Sequence, residues 1–426
     1  MKFSIKSPEK LSGCVVLPAS KSISNRALIV DALGNMAHGV AAGKVCGVRN
    51  ISDCDDTRVM WNALTQMPET IDIMAAGTAM RFLSAFLCVN EGVHVITGTE
   101  RMKNRPIGVL VDALRQLGAQ VEYVEKEGFP PLRITGGRHR GGSVTLSGSV
   151  SSQYVSALLM IGPVMEEGLR LKLEGRIVSR PYIEMTLDIM RTFGAKAGWV
   201  AEDCICVEPG GYAPVPYYVE SDWSAASYWY EMVALSPDAD ASVELPGLFA
   251  RSLQGDSAVS GLFSMLGVCS EHYMTDEGLE CVRLHKGGTI QERMEHDFTH
   301  QPDLAQTLVA TCCAMGVPFR FSGLESLKIK ETDRIYALRT ELGKFGFVIE
   351  EPEEGTLCWE GNRGEVQPDA VIDTYEDHRM AMALAPLSAR LGGIRMNDPE
   401  VVSKSYPQFW AHLRNVGFII EEESLC

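Results

Sequence analysis

The stretch Ser151-Ser152-Gln153-Tyr154-Val155-Ser156-Ala157-Leu158-Leu159-Met160-Ile161-Gly162-Pro163-Val164 decides how this chain folds. Its first residues are polar and suited to opening a helix, whereas 154–164 is apolar or small nearly all the way round. A helix without a polar face belongs in an interior. The construction recurs: polar openings stand at Ser20-Lys21-Ser22-Ile23-Ser24-Asn25-Arg26, Ala75-Ala76-Gly77-Thr78-Ala79-Met80-Arg81, Val150-Ser151-Ser152-Gln153, Glu220-Ser221-Asp222-Trp223-Ser224, Gln301-Pro302-Asp303 and Glu376-Asp377-His378-Arg379. Each leads into a helical stretch rich in Ala, Leu and Met, and 380–391 is as uniformly apolar as 154–164.

A second, amphipathic helical pattern follows each opening. Those at 109–117, 183–193, 258–266, 336–345 and 409–416 end on an apolar residue before glycine, and a weaker one at 57–66 closes near Pro68. Glycine there supplies the left-handed conformation that stops a helix. Between helices lie short alternating strands such as Leu169-Arg170-Leu171-Lys172-Leu173 and Val144-Thr145-Leu146, with one dry face. The pattern is an internal repeat of about 55 to 80 residues. Fully apolar helices and one-sided strands place helices in the middle and sheets as outer walls. The expected class is α/β, with six units in two sets of three.

Breaks near Pro18-Ala19-Ser20 and Glu220-Ser221-Asp222 divide the chain into an expected lobe 18–221 and a second lobe formed by 1–17 and 222–426. If the N-terminal strand 2–16 pairs with the last half, the chain crosses twice between lobes. Residues 17–20 and 219–223 then form a hinge, and the lobes are expected to close on ligand.

Helix openings carry unpaired N–H groups and partial positive charge, so several aimed at one cleft make an anion site. The net charge of −16 over 426 residues argues against nucleic acid or an anionic membrane as partner. An anionic ligand therefore has to be drawn by a local basic cluster. No run of about 18 apolar residues and no signal-peptide core occurs, which sets the cytoplasm as expected location. Twelve scattered cysteines read as reduced thiols, and neither Cys204-Ile205-Cys206 nor Cys312-Cys313 has a second Cys/His pair at zinc spacing, so no metal is expected.

Three segments concentrate chemistry. With a helix starting near Ser22, Ser22 and Arg26 share a face and Lys21 lies just ahead of the positive end. In Lys330-Glu331-Thr332-Asp333-Arg334, helical spacing puts Lys330 and Arg334 on one face and Glu331 within reach of Arg334. A salt-bridged surface turn would use the same residues. In Asp377-His378-Arg379 a basic pair enters a buried helix, which is costly unless something anionic meets it. Ser151, Ser152 and Gln153 offer hydroxyls and an amide for a cap or a sugar-like ligand. Gly77-Thr78 allows close backbone approach to an anion, and Asp303 either satisfies a helix dipole or serves as a general base.

Taken together, Pro18 to Arg26, Ala76 to Arg81, Arg101-Met102-Lys103-Asn104-Arg105-Pro106-Ile107, Gly148 to Gln153, Lys330 to Arg334 and Asp377 to Met382 resemble the enolpyruvyl transferases, in the branch acting in the shikimate pathway. The motifs run in family order from one end of the chain to the other. The resemblance implies two inside-out α/β barrel domains, each of three βαβαββ-type repeats, with the site in the cleft between them. It implies transfer of the carboxyvinyl group of phosphoenolpyruvate to the 5-hydroxyl of shikimate 3-phosphate, with release of phosphate, no cofactor, small anionic substrates and a monomeric enzyme. Carried over by motif, Lys21, Ser22, Arg26, Ser151, Ser152, Gln153, Ser179, Asp303, Ser326 and Lys330 would hold shikimate 3-phosphate. Lys21, Gly77, Arg105, Gln153, Arg334, Arg379 and Lys404 would hold phosphoenolpyruvate. Asp303 resembles the base for the hydroxyl and Glu331 the proton donor to the methylene carbon, with Lys21 beside them.

The chain departs from the family at Ala75, where Asn is usual, at Phe82, where Pro is common, and at Ser326, a position often held by Asn. The segment 67–74 is shorter than usual, so the second repeat is expected to lack outer strands, and an impaired anion-binding homologue is the alternative reading. The branch acting on UDP-N-acetylglucosamine is disfavoured: there Lys21 would be followed by Asn, and a reactive Cys would stand where Arg105-Pro106-Ile107 has none nearby.

Overall fold

A computed structural model describes residues 1–37, 47–276 and 278–423. The chain divides into two compact units, one of Ala19–Val219 and one of Met1–Pro18 with Glu220–Cys426. In the first, helices Lys21–Ala37, Gly77–Val89 and Ser152–Ile161 pack on one another. In the second, Trp223–Leu235, Ala305–Met315 and His378–Leu384 do the same. Within Trp223–Leu235 every residue but Ser224 is buried, and His378–Leu384 is buried throughout. Small residues on these helices allow close approach, and among the described residues no solvated face exists to orient them outward.

Among the described residues the strands repeat one topology five times. In the first unit, Thr70–Asp72 and Gly92–Thr97 are parallel and joined through a buried helix, followed by antiparallel Leu132–Gly136 and Gln120–Tyr123. Gly142–Ser147, Leu169–Glu174, Cys204–Val207 and Ala197–Ala201 follow the same order. So do Met294–Asp297, Phe319–Ser322, Thr356–Trp359 and Glu350–Glu353 in the second unit. In Ser12–Cys14, Ser242–Pro246, Glu280–Ile290 and Leu266–Met274, the whole Ala19–Val219 unit is inserted between the first strand and its helix. In the last sheet, Val371–Ile372 and Ile394–Asn397 are completed by Lys2–Lys6 and Ile419–Glu423. The N-terminal strand thus closes a repeat begun at the other end of the chain. Among the described residues Val48–Arg49 and Tyr217–Tyr218 form a further, two-stranded parallel pair. Among the described residues no sheet closes on itself.

Strands such as Leu169–Glu174 alternate buried and exposed along their length, as a sheet with one dry face requires. Amphipathic helices such as Gly108–Gln116 and Phe409–Asn415 stop ahead of Gly118 (φ +97°) and Gly417 (φ +99°), a backbone region that disfavours other residues. One expectation fails: the short 67–74 segment does not remove the outer strands. Met67 turns the chain at φ +43°, and the three residues Thr70–Asp72 suffice to pair with 95–97, leaving a complete four-stranded sheet.

Candidate active site

In the first unit the openings of the three buried helices come together. Arg26, 2 % exposed, donates from Nε to Thr186 Oγ1 at 2.7 Å, from Nη2 to Ser156 Oγ at 3.1 Å and from Nη1 to the Ser22 carbonyl at 2.8 Å. Its guanidinium also lies 5.2 Å from the Phe82 ring and 5.8 Å from the Tyr182 ring. Among the described residues no carboxylate pairs with it. Burial lowers this arginine to about 10, with only the Tyr182 hydroxyl opposing. A desolvated cation met only by neutral groups favours an anion. The helix starts at Lys21, one residue ahead of the expected position, and Lys21 Nζ lies 3.4 Å from Asp56.

Gln153 Nε2 donates to Thr78 Oγ1 at 3.1 Å, joining two of the openings, while Ser151 caps its helix through Gln153 N at 3.3 Å. Ser152 is the first helical residue and is buried. Arg105 lies between helices Glu100–Lys103 and Gly108–Gln116 and covers Gly77 so closely that a Cβ there would stand 2.6 Å from its Nη1. Arg81 holds the neighbouring backbone, donating to the Gly77 carbonyl at 3.0 Å and the Pro106 carbonyl at 3.1 Å. Ser179 adopts φ +53° at the start of helix Arg180–Thr192 without capping it. Such a conformation in a non-glycine residue is uncommon and clusters at ligand sites.

The second unit holds a charge network. Asp303, 16 % exposed, meets Arg379 Nη2 at 2.9 Å, Arg334 Nη1 at 3.3 Å and Lys330 Nζ at 3.9 Å. Arg334, 1 % exposed, also pairs with Glu331 at 2.7 Å and Asp377 at 2.8 Å. Burial pushes the Asp303 carboxyl up, but Arg379, Lys330 and Arg334 outweigh it and hold the group well below the usual carboxylate range. Burial likewise opposes the charge on Arg334, and Asp377, Glu331 and Asp303 more than restore it, so its pKa is raised. Asp377 caps helix His378–Leu384 through Arg379 N at 2.9 Å while gripping Arg334. Arg379 Nη1 also reaches the buried Tyr228 hydroxyl at 3.5 Å, and burial keeps that phenol neutral at about 12 despite the arginine.

The expected shared face of Lys330 and Arg334 is not formed. Asp333 accepts from Tyr336 N at 3.0 Å and caps a helix that begins only at Arg334, so Lys330 and Glu331 stand in the preceding chain. They still converge, because Arg334 and Asp303 draw them together. Ser326 lies in the 3-10 turn Glu325–Ile329 just before, and Lys404 donates to the Glu376 carbonyl at 2.7 Å. Reasoning from sequence missed Asp377 as a partner of Arg334, Asp56 beside Lys21, and Thr186 with Ser156 around Arg26. The signal for Asp377 was present: an acid that caps an interior helix must be paired by a buried cation. Among the described residues no group of three or more His, Cys, Asp or Glu side chains could hold a metal ion, and no helix is long and apolar enough to cross a membrane.

A sequence profile of EPSP synthase (3-phosphoshikimate 1-carboxyvinyltransferase) matches residues 5–74 and 67–413. Two proteins of Bacteroides fragilis named 3-phosphoshikimate 1-carboxyvinyltransferase are 54% and 55% identical over 421 residues, covering 99% of both chains in each case. The solved EPSP synthase from Acinetobacter baumannii superposes with a TM-score of 0.78 at 21% identity, covering 100% of each chain, and supports the mixed α/β fold. This chain belongs to the EPSP synthase family.

Proposed function

We propose that the chain carries out the reaction of its family with its two side-chain clusters in divided roles. The reaction joins phosphoenolpyruvate to the 5-hydroxyl of shikimate 3-phosphate and releases inorganic phosphate. In the addition step the hydroxyl proton passes to Asp303, the oxygen bonds to the enol carbon, and Glu331 delivers a proton to the methylene carbon. In the elimination step that carbon returns its proton to Glu331, the double bond re-forms, the bond to phosphate breaks, and the departing phosphate takes up the proton held by Asp303. Lys21, Ser22, Arg26, Ser151, Ser152, Gln153, Ser179, Ser326 and Lys330 are the proposed contacts to shikimate 3-phosphate. Gly77, Arg105, Arg334, Arg379 and Lys404, with Lys21 and Gln153, are those to phosphoenolpyruvate.

The observation that carries this reading is the Asp303–Arg334–Glu331 arrangement, in which one buried guanidinium touches both proposed proton-transfer groups. An anion bound to Arg334 competes with Glu331 for that guanidinium, and a carboxylate that loses its cation gains proton affinity. Substrate thereby prepares the donor. Each unit is read as an inside-out α/β barrel of three repeats, a reading supported by its three mutually packed buried helices and one-sided strands. The ten described cysteines are free thiols, which supports work in the cytoplasm.

The test mixes purified protein with phosphoenolpyruvate and shikimate 3-phosphate and follows phosphate. Release is expected with the wild type, and Glu331→Gln is expected to bind both substrates while losing about 100-fold or more in turnover. Binding of both without release by the wild type would favour a non-catalytic anion-binding protein. Unchanged turnover in the variant would remove Glu331 from the mechanism.

A further inference from the structure

We propose that Asp256 is a positioning residue for Asp303, a second buried carboxyl whose charge sets how strongly Asp303 draws the substrate's hydroxyl proton. The proposal rests on Asp303 being the base, as assigned above. Asp256 lies in the 3-10 turn Gly255–Ala258 and is 3 % exposed. One carboxyl oxygen accepts from the Ser224 hydroxyl, while Oδ1 is buried with no hydrogen-bond partner among the described residues. Ser224 opens helix Trp223–Leu235, and that helix packs against both the Asp256 turn and the turn Pro302–Leu304 that carries Asp303. Gln254 fixes the arrangement, accepting from Trp223 N at 3.1 Å and donating to the Ser221 carbonyl at 2.8 Å.

The charged groups facing Asp256 are Asp303, Arg379 and Asp222, the last capping helix Trp223–Leu235. Behind Asp303 stand Lys330, Arg334, Glu331 and Asp377, and Tyr228 stays neutral beside Arg379. Burial first, and then the negative charge of Asp303, push the Asp256 carboxyl up to about 7. Asp303, held ionised by three cations, is a weak base on its own. A negative charge on Asp256 opposes those cations and strengthens it. Asp256 takes no proton from substrate: the hydroxyl proton goes to Asp303, and Asp256 changes only how readily Asp303 accepts it.

The sign of the stability effect is fixed. Asp256 titrates higher in the folded chain than the usual 3.8, so the fold loses stability as pH rises from about 4 to about 7 and keeps that deficit above. Asp256→Asn keeps the shape and abolishes the titration. For the wild type, kcat is expected to rise through an ionisation near neutral pH. Asp256→Asn is expected to stay flat at the low-pH level, about tenfold below the wild type at alkaline pH, with both KM values within about twofold and with less loss of unfolding stability across the acid-to-neutral range.

Ser224→Ala provides a second arm that leaves the carboxyl in place. The Ser224 hydroxyl holds Asp256 down, so its loss is expected to move the kcat limb to higher pH. A limb retained in Asp256→Asn, or a KM rising in step with the loss of kcat, overturns the proposal. Should Asp256→Asn fail to fold, an unmoved limb in Ser224→Ala overturns it instead. Absence of wild-type turnover would refute the family reaction itself and is seen separately, before any variant is compared.

Discussion

Arg26 and Arg334 are both buried guanidiniums at helix openings, yet Arg26 is met by hydroxyls, a carbonyl and two aromatic rings, whereas Arg334 is met by Asp303, Glu331 and Asp377. The first is a cation kept unneutralised; the second is neutralised several times over. A carboxylate beside a binding cation competes with any anionic ligand, so a group meant mainly to hold an anion is better left with neutral partners. A group that must also control proton-transfer carboxylates has to touch them. On the proposed roles the contrast separates holding from chemistry, and each side is expected to fail differently when altered.

The largest effect is expected at Arg334. Arg334→Ala leaves Asp377, which is fully buried, and Asp303 without their shared cation, a change that destabilises by about 3–5 kcal/mol. Urea unfolding reads the stability, and phosphate release is expected to vanish along with it. A loss below about 1 kcal/mol would mean that Asp377 and Asp303 are satisfied without Arg334, and the contrast between the two arginines would disappear.

That network shows where the sequence could be read and where it could not. The buried helices, their polar openings and the glycine stops followed from local patterns, since periodicity and capping act within a few residues. The Arg334–Asp377 bond spans 43 residues and Arg26–Thr186 spans 160, and no local pattern encodes which distant partner a buried charge finds. The placement of Lys2–Lys6 between Ile394–Asn397 and Ile419–Glu423 is equally nonlocal. Spacing misled at Lys330: it presupposes a helix four residues too early, whereas the Asp333 side chain caps a helix that begins at Arg334. Asp256 carried no signal, being a single acid in a Gly-Asp-Ser turn until the fold packs that turn and the Asp303 turn against one helix.

A second, smaller effect belongs to Arg26. Arg26→Met fills the same space with an apolar chain, and Ser156 and Thr186 still hydrogen-bond each other at 2.8 Å. Removing a buried charge that lacks a counter-ion is expected to leave the melting temperature unchanged or raised. Affinity for shikimate 3-phosphate, measured by calorimetry, is expected to fall about 10- to 100-fold with the lost charge-assisted hydrogen bonds. A marked fall in melting temperature with affinity preserved would make Arg26 a structural strut rather than an anion holder.

Lys21 and Asp56 test the boundary between the two designs, because here a proposed binding cation does sit beside a carboxylate, at 3.4 Å and about 15 % exposure on either side. Asp56 also lies in the first turn of helix Asp55–Gln66, where a negative charge favours the helix by roughly 0.3–1 kcal/mol. Asp56→Asn removes the charge and keeps the shape, so stability is expected to drop by no more than about 1 kcal/mol. If Asp56 acts as a competitor, anion affinity rises about two- to fivefold in the variant, and the gain shrinks as salt screens the pair. If affinity falls instead, Asp56 is aiming the ammonium at its ligand, and Lys21 belongs with Arg334 among the cations that a carboxylate sets in place.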